Sequence, residues 1–168
     1  MKPLQVRRLA LCALLAAVAL GIFVLEAQIP LPVPIPGLKL GLSNIVILFA
    51  LFALGWKEAA AILLIRILLG NFFTGQVTAM LYSLGGGLLS FLAMLLLSRF
   101  LKPSQIWVAG VVGGLMHNLG QMAVAVAITQ TPSLLLYLPV LLLCGIFAGA
   151  FTGLCAQLLL HRFPTEKF

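Results

Sequence analysis

Arg66 stands inside the apolar run Ala61-Ile-Leu-Leu-Ile-Arg-Ile-Leu-Leu69. A charged side chain at the middle of a membrane helix costs about 2.5–3.5 kcal/mol on insertion scales, so something must offset it. Three arrangements do so: the side chain snorkels to an interface, it pairs with a carboxylate, or it faces a cavity. Glu26 is the one acid near that depth. In a cavity, the guanidinium presents a planar fork of donors suited to a carboxylate or phosphate. Downstream, His117, Asn118 and Gln121 cluster in another apolar run. Residues 117 and 121 are one helical turn apart, and 118 and 121 are neighbours on the same side. A single histidine there reads as an interhelical hydrogen bond. Three polar groups together point as strongly to a ligand. Lys39, Asn44, Asn71 and Gln76 fall toward the same half of the chain's helices, with Tyr82, Phe72 and Phe73 as candidate aromatic walls. The chemistry on offer is capture of a small polar or anionic molecule.

Bond-making chemistry has little to work with. The chain has no aspartate, and its acids are Glu26, Glu58 and Glu166. No D-D-x-x-D cluster exists to hold magnesium on a diphosphate, and H-E-x-x-H, G-x-S-x-G and Walker motifs are missing. Cys12, Cys144 and Cys155 lie in apolar runs with no C-x-x-C pair, so no metal site or disulfide framework is indicated. His117 and His161 are too far apart along the helices to share a haem. We expect no enzymatic activity, no catalytic residues, no metal and no cofactor. Active transport by such a chain needs energy from other subunits.

The elements that position these residues are membrane helices. The 168-residue chain is 63% hydrophobic and 8% charged, with a mean hydropathy of +1.24; soluble domains carry roughly 25% charged residues. Hydropathy and punctuation predict an all-α integral membrane protein, one domain over 1–168. Its bundle of about six transmembrane helices falls near 9–27, 40–54, 58–70, 77–100, 106–128 and 134–160. The run after Arg7-Arg8 has the form of a signal peptide, but more spans follow, so a retained first helix is expected. Between the first two helices, Gln28 to Asn44 alternates prolines with apolar residues. Proline cannot continue a helix, and irregular backbone at membrane depth survives only against protein or a water-lined cavity. A structured loop facing the ligand site is expected there, with a polar loop over 71–76.

The formal charge of +7 sets topology rather than nucleic-acid binding. With the N-terminus inside, the inner segments hold Lys2, Arg7, Arg8, Lys57, Arg99, Lys102, Arg162 and Lys167, and the outer loops hold Lys39. The positive-inside rule then places both termini in the cytoplasm and the proline loop outside. Small residues recur at helical spacing: Ala13/Ala17, Gly85 to Gly87, Gly110/Gly113/Gly114 and Gly145/Gly149/Gly153. They let helix backbones approach closely. Packing within the chain is the simplest use of each, whereas Ala13/Ala17 lie on an open face suited to docking another subunit.

Several motifs carry a resemblance. Ile29-Pro-Leu-Pro-Val-Pro-Ile-Pro-Gly-Leu-Lys-Leu-Gly-Leu-Ser-Asn-Ile45 resembles the hallmark of the Gx transporter family, also labelled heptaprenyl diphosphate synthase component I. Ala53-Leu-Gly-Trp-Lys-Glu-Ala59, Arg66 with Leu68-Leu69-Gly70 and Gly75, Tyr82-Ser-Leu-Gly-Gly-Gly-Leu88 and Gly113-Gly-Leu-Met-His-Asn-Leu-Gly-Gln121 resemble its later blocks. The family is similar to the substrate-binding S components of energy-coupling-factor (ECF) transporters. Those have six helices, a loop after helix one that closes an outward-facing site, and small alanines on helix one that contact a coupling subunit. The resemblance implies ligand contacts among Lys39, Asn44, Arg66, Asn71, Tyr82, His117, Asn118 and Gln121, and a docking pair in Ala13 and Ala17. It implies a multi-pass protein of the bacterial plasma membrane, in contact with lipid, that binds a small molecule for uptake with an ECF coupling subunit and ATPases. The synthase label sits badly with the missing carboxylates. Relatives linked to flavin- and quinone-based extracellular electron transfer imply the alternative. That is a non-transporting membrane subunit of quinone, prenyl or flavin-dependent metabolism, beside a small extracytoplasmic partner protein.

Overall fold

The structure, a computed structural model, describes residues 3–29, 38–75 and 77–163. The proline-rich stretch 30–37 and Gln76, both expected near the site, lie outside the described residues. Among the described residues six helices run in order: α1 (Pro3–Glu26), α2 (Asn44–Ala53), α3 (Trp56–Thr74), α4 (Val77–Ser98), α5 (Ile106–Thr129) and α6 (Leu138–Arg162). Short 3-10 turns at Pro103–Gln105 and Pro132–Tyr137 lead into α5 and α6. The protein is an all-α membrane bundle. The stretches Gln5–Glu26, Thr78–Ser98, Pro103–Thr129 and Pro132–Arg162 are long and apolar enough to cross a bilayer.

The other two helices differ from these, each for a local reason. α2 has ten residues, about 15 Å at 1.5 Å per residue, half a bilayer core. It begins at Asn44 rather than near 40 because Gly41 takes φ +83°, a left-handed conformation that breaks a helix. Neighbouring helices enclose α2, and Ile47, Leu48 and Ala50 are fully buried against Ile62, Leu63 and Ile67 of α3. α3 carries Lys57, Glu58 and Arg66. The polar loop expected over 71–76 is helical as far as Thr74. Asn71 donates to the Ile67 carbonyl at 2.8 Å and Thr74 to the Gly70 carbonyl at 3.0 Å. Both side chains thus serve the helix they were expected to end, and Gly75 closes it at φ +66°.

Glycine faces join the second half of the bundle. A Cβ at Gly149 of α6 would lie 2.5 Å from the Gly110 carbonyl oxygen of α5, and one at Gly153 2.6 Å from the Trp107 carbonyl oxygen. Gly120 of α5 meets Gly85 and Gly86 of α4 in the same backbone-to-backbone way. These small-residue motifs are consumed within the chain. At the opposite edge, Arg8 of α1 bonds the Leu54 carbonyl at 2.8 Å and pairs with Glu58 at 3.2 Å. Large apolar side chains such as Leu14, Leu92, Phe147, Phe151 and Leu158 cover the outside. Water would penalise that surface, whereas lipid accommodates it.

Candidate functional site

The polar side chains converge where the first turn of α2 meets α1, α3, α4 and α5. Arg66 is 1% exposed and points inward. Its Nη1 donates to the Ser43 hydroxyl and, at 3.2 Å, to Asn44 Oδ1. Asn44 in turn donates to Ser90 Oγ of α4 at 3.3 Å. A helix start, a mid-helix arginine and a serine from the facing helix thus form one chain of bonds. Snorkelling is therefore not how Arg66 is accommodated.

The segment before α2 is held from two sides. The Gln121 amide accepts from the Lys39 backbone N–H at 2.9 Å and donates to the Lys39 carbonyl at 3.1 Å. Its NH2 group also meets His117 Nε2. An amide NH2 can only donate, so His117 accepts at Nε2 and carries its proton on Nδ1. From the other side, Glu26 at the end of α1 accepts the Gly41 N–H through Oε1. Gly41 is required twice over. Its φ is +83°, and a Cβ would lie 2.8 Å from the His117 ring and 2.9 Å from Asn44 Nδ2.

Lys39 is folded under this segment, buried, with Nζ 3.1 Å from the centroid of the Phe23 ring. Arg66 Cζ lies 5.8 Å from the same ring. The electron-rich face of one phenylalanine therefore serves two cations. Burial, reinforced by the nearby Arg66 and opposed by Glu26, lowers the Lys39 pKa to about 8. Lys39 Nζ, Arg66 Nε and Glu26 Oε2 are buried with no hydrogen-bond partner among the described residues. They border a tight cleft with no free room for a water molecule, lined by Phe23, Glu26, Lys39, Gly41, Ser43, Arg66, Ser83 and His117.

Of the residues expected to bind ligand, Lys39, Arg66 and His117 line this cleft, and Asn44 and Gln121 brace it. Asn118 faces the other way. Its amide donates to the Leu141 carbonyl of α6 at 2.5 Å, beside Gly145. Asn71 borders a separate groove with Leu68, Leu69 and Phe72. Tyr82 packs with Leu38, Met122, Ala125 and Leu141, supporting the segment from behind. Phe72 and Phe73 are not walls of the site. They form an edge-to-face pair at 6.0 Å on the exposed side of α3, 79% and 67% exposed. Phe23, Gly41, Ser43, Ser83 and Glu26 also belong to the cleft; Gly41, Ser43 and Ser83 fall inside the motifs that carry the resemblance without being among the expected ligand contacts, and Phe23 falls in none of them. Ala13 and Ala17 lie on the exposed side of α1, away from the cleft.

Chemically, two cations and one carboxylate share a closed space with a neutral imidazole. No group of three His, Cys, Asp or Glu among the described residues converges as a metal site would require. The arrangement suits recognition of a group bearing negative charge and hydrogen-bond acceptors. A family model described as heptaprenyl diphosphate synthase component I matches residues 15–159, and the chain belongs to that family. No curated protein and no solved structure matches it.

Proposed function

Taking that membership as the premise, we propose that this chain is a membrane-embedded solute-binding subunit, similar to an ECF S component. It captures a small anionic or polar molecule for uptake powered by other subunits. The observation that carries the reading is the pair of buried cationic heads at the cleft, Lys39 and Arg66, each with a nitrogen that meets no oxygen among the described residues. Burying such groups unpaired is costly, and an anionic ligand would satisfy both. Glu26 leaves the three charged side chains with a net single positive charge, so a monoanion completes the balance. The cleft as it stands has no room for a solute, and entry requires the Lys39–Ser43 segment to lift.

In this reading the chain crosses a bacterial plasma membrane several times with both termini in the cytoplasm. The basic residues Arg7, Arg8, Lys57, Arg99, Lys102 and Arg162 gather at one set of helix ends, and Lys39 lies toward the other. The site then opens outward. Ala13 and Ala17 form the docking face for a coupling subunit, and the chain itself is non-catalytic.

The family's description favours a second reading, a membrane component that works beside a prenyl-transferring partner enzyme without transporting. Small molecules extracted from detergent-purified protein, identified by mass spectrometry, test between them. A molecule retained by the wild type and lost from Arg66→Ala and Lys39→Met supports capture. Retention unchanged in both variants overturns it. Co-purification of a coupling subunit, lost on Ala13→Leu with Ala17→Leu, supports the uptake assembly; a prenyl-transferring enzyme recovered instead supports the second reading.

A further inference from the structure

A roomier cavity lies away from the polar cleft. It is a groove of about 570 Å3 between α1, α2 and α6. Leu11, Leu14, Val18 and Ile22 of α1 form one side, and Val46 and Phe49 of α2 form the floor. The floor is buried, while Leu14 and Val18 on the rim are 60% and 45% exposed. At one end, two guanidinium-bearing residues line the same groove: Arg7 from the start of α1 and Arg162 from the last turn of α6.

Size and charge identify the occupant. From Leu11 to Ile22 the groove follows α1 for about 16 Å, and the hydrocarbon half of one leaflet is about 15 Å thick. Dividing 570 Å3 by that length gives a cross-section of about 36 Å2. That is room for an extended hydrocarbon chain and less than the section of a helix 10–12 Å across. A polyprenyl chain much longer than a leaflet would overrun it. The arginines stand where a lipid headgroup would be, and basic pockets between membrane helices hold anionic headgroups. We propose that this groove binds one acyl chain of an anionic phospholipid, with Arg162 and Arg7 on its phosphate. The lipid fills the space that α1 and α6 leave open over α2 and fastens α1 to the bundle.

Native mass spectrometry of the detergent-purified chain, loaded with dioleoyl phosphatidylglycerol or dioleoyl phosphatidylcholine, tests this. One phosphatidylglycerol is expected to remain bound, at least about fivefold more than phosphatidylcholine, and Arg162→Gln is expected to cut that preference about fivefold. Val18→Trp, on the exposed rim, should fill the groove and abolish retention of both lipids; Leu14→Trp is the substitute if that variant does not purify as a single species. Leu92→Trp, exposed on α4, should change neither. Equal retention of the two lipids, a preference unchanged in Arg162→Gln, or retention surviving both tryptophan variants would overturn the proposal. So would displacement of phosphatidylglycerol by an equimolar long-chain polyprenyl diphosphate, or a co-purified polypeptide lost on Val18→Trp while lipid stays.

Discussion

Gln121 grips Lys39 by its backbone, not its side chain. One amide on α5 accepts from the N–H at 2.9 Å and donates to the carbonyl at 3.1 Å of a residue 82 positions earlier. The backbone on both sides of the Lys39 Cα is thereby fixed to a rigid helix, while the ammonium is left to find its own environment against Phe23. Position and charge of the same residue are controlled by different neighbours.

Gln121→Leu should therefore release the segment rather than remove a ligand contact. It orphans a buried donor and a buried acceptor, each worth about 1–3 kcal/mol. Hydrogen exchange over residues 38–43 should accelerate at least tenfold, with helices α4 to α6 unchanged. Uniform acceleration across the bundle would refute the clamp.

Arg66→Lys keeps the charge and loses the fork. The shorter, single-headed ammonium cannot bond Ser43 and Asn44 while offering Nε to the cleft. Retention of the co-purified small molecule should fall at least tenfold, with the thermal midpoint in detergent lowered. Full retention would remove Arg66 from the binding set.

The pKa of Lys39, lowered to about 8, gives a pH signature. The ammonium is present below that value and lost above it, so anion retention should weaken as pH rises from 7 to 9. A bound anion raises the pKa, which moves the loss upward at saturating ligand. Lys39→Arg should flatten the profile, because a guanidinium stays protonated across the range. A wild-type profile flat from pH 6.5 to 9.5 would show that the ammonium does not meet the anion.

Gly149→Leu should wedge α5 from α6. Its Cβ alone would meet the Gly110 carbonyl oxygen at 2.5 Å, and overpacking of this kind costs about 1–3 kcal/mol or more. A lower melting temperature is expected, without the selective exposure of residues 38–43 expected of Gln121→Leu. A midpoint equal to wild type would contradict the close backbone contact.

The helix order was legible because glycine and proline punctuate the apolar runs, and Arg66 announced itself by its cost. Facing direction was harder to read. Asn118 and Gln121 are three residues apart, about 60° around a helix. That is enough to send one amide to the Leu141 carbonyl and the other to Lys39. Tyr82 and Ser83 are adjacent, yet Ser83 reaches the cleft and Tyr82 packs behind the segment. Phe23 is one apolar residue among many in α1, and nothing in its spacing marks it as the ring beneath two cations. Phe72 and Phe73 form a mouth only if 71–76 is a loop; the helix through Thr74 turns both outward.

The brevity of α2 has an effect on selection. This helix accounts for only ten residues, and Lys39, in the segment that leads into it, is buried. Any solute that reaches the ammonium must first shed most of its hydration shell. Under the proposed capture, weakly hydrated anions are therefore favoured over compact, tightly hydrated ones.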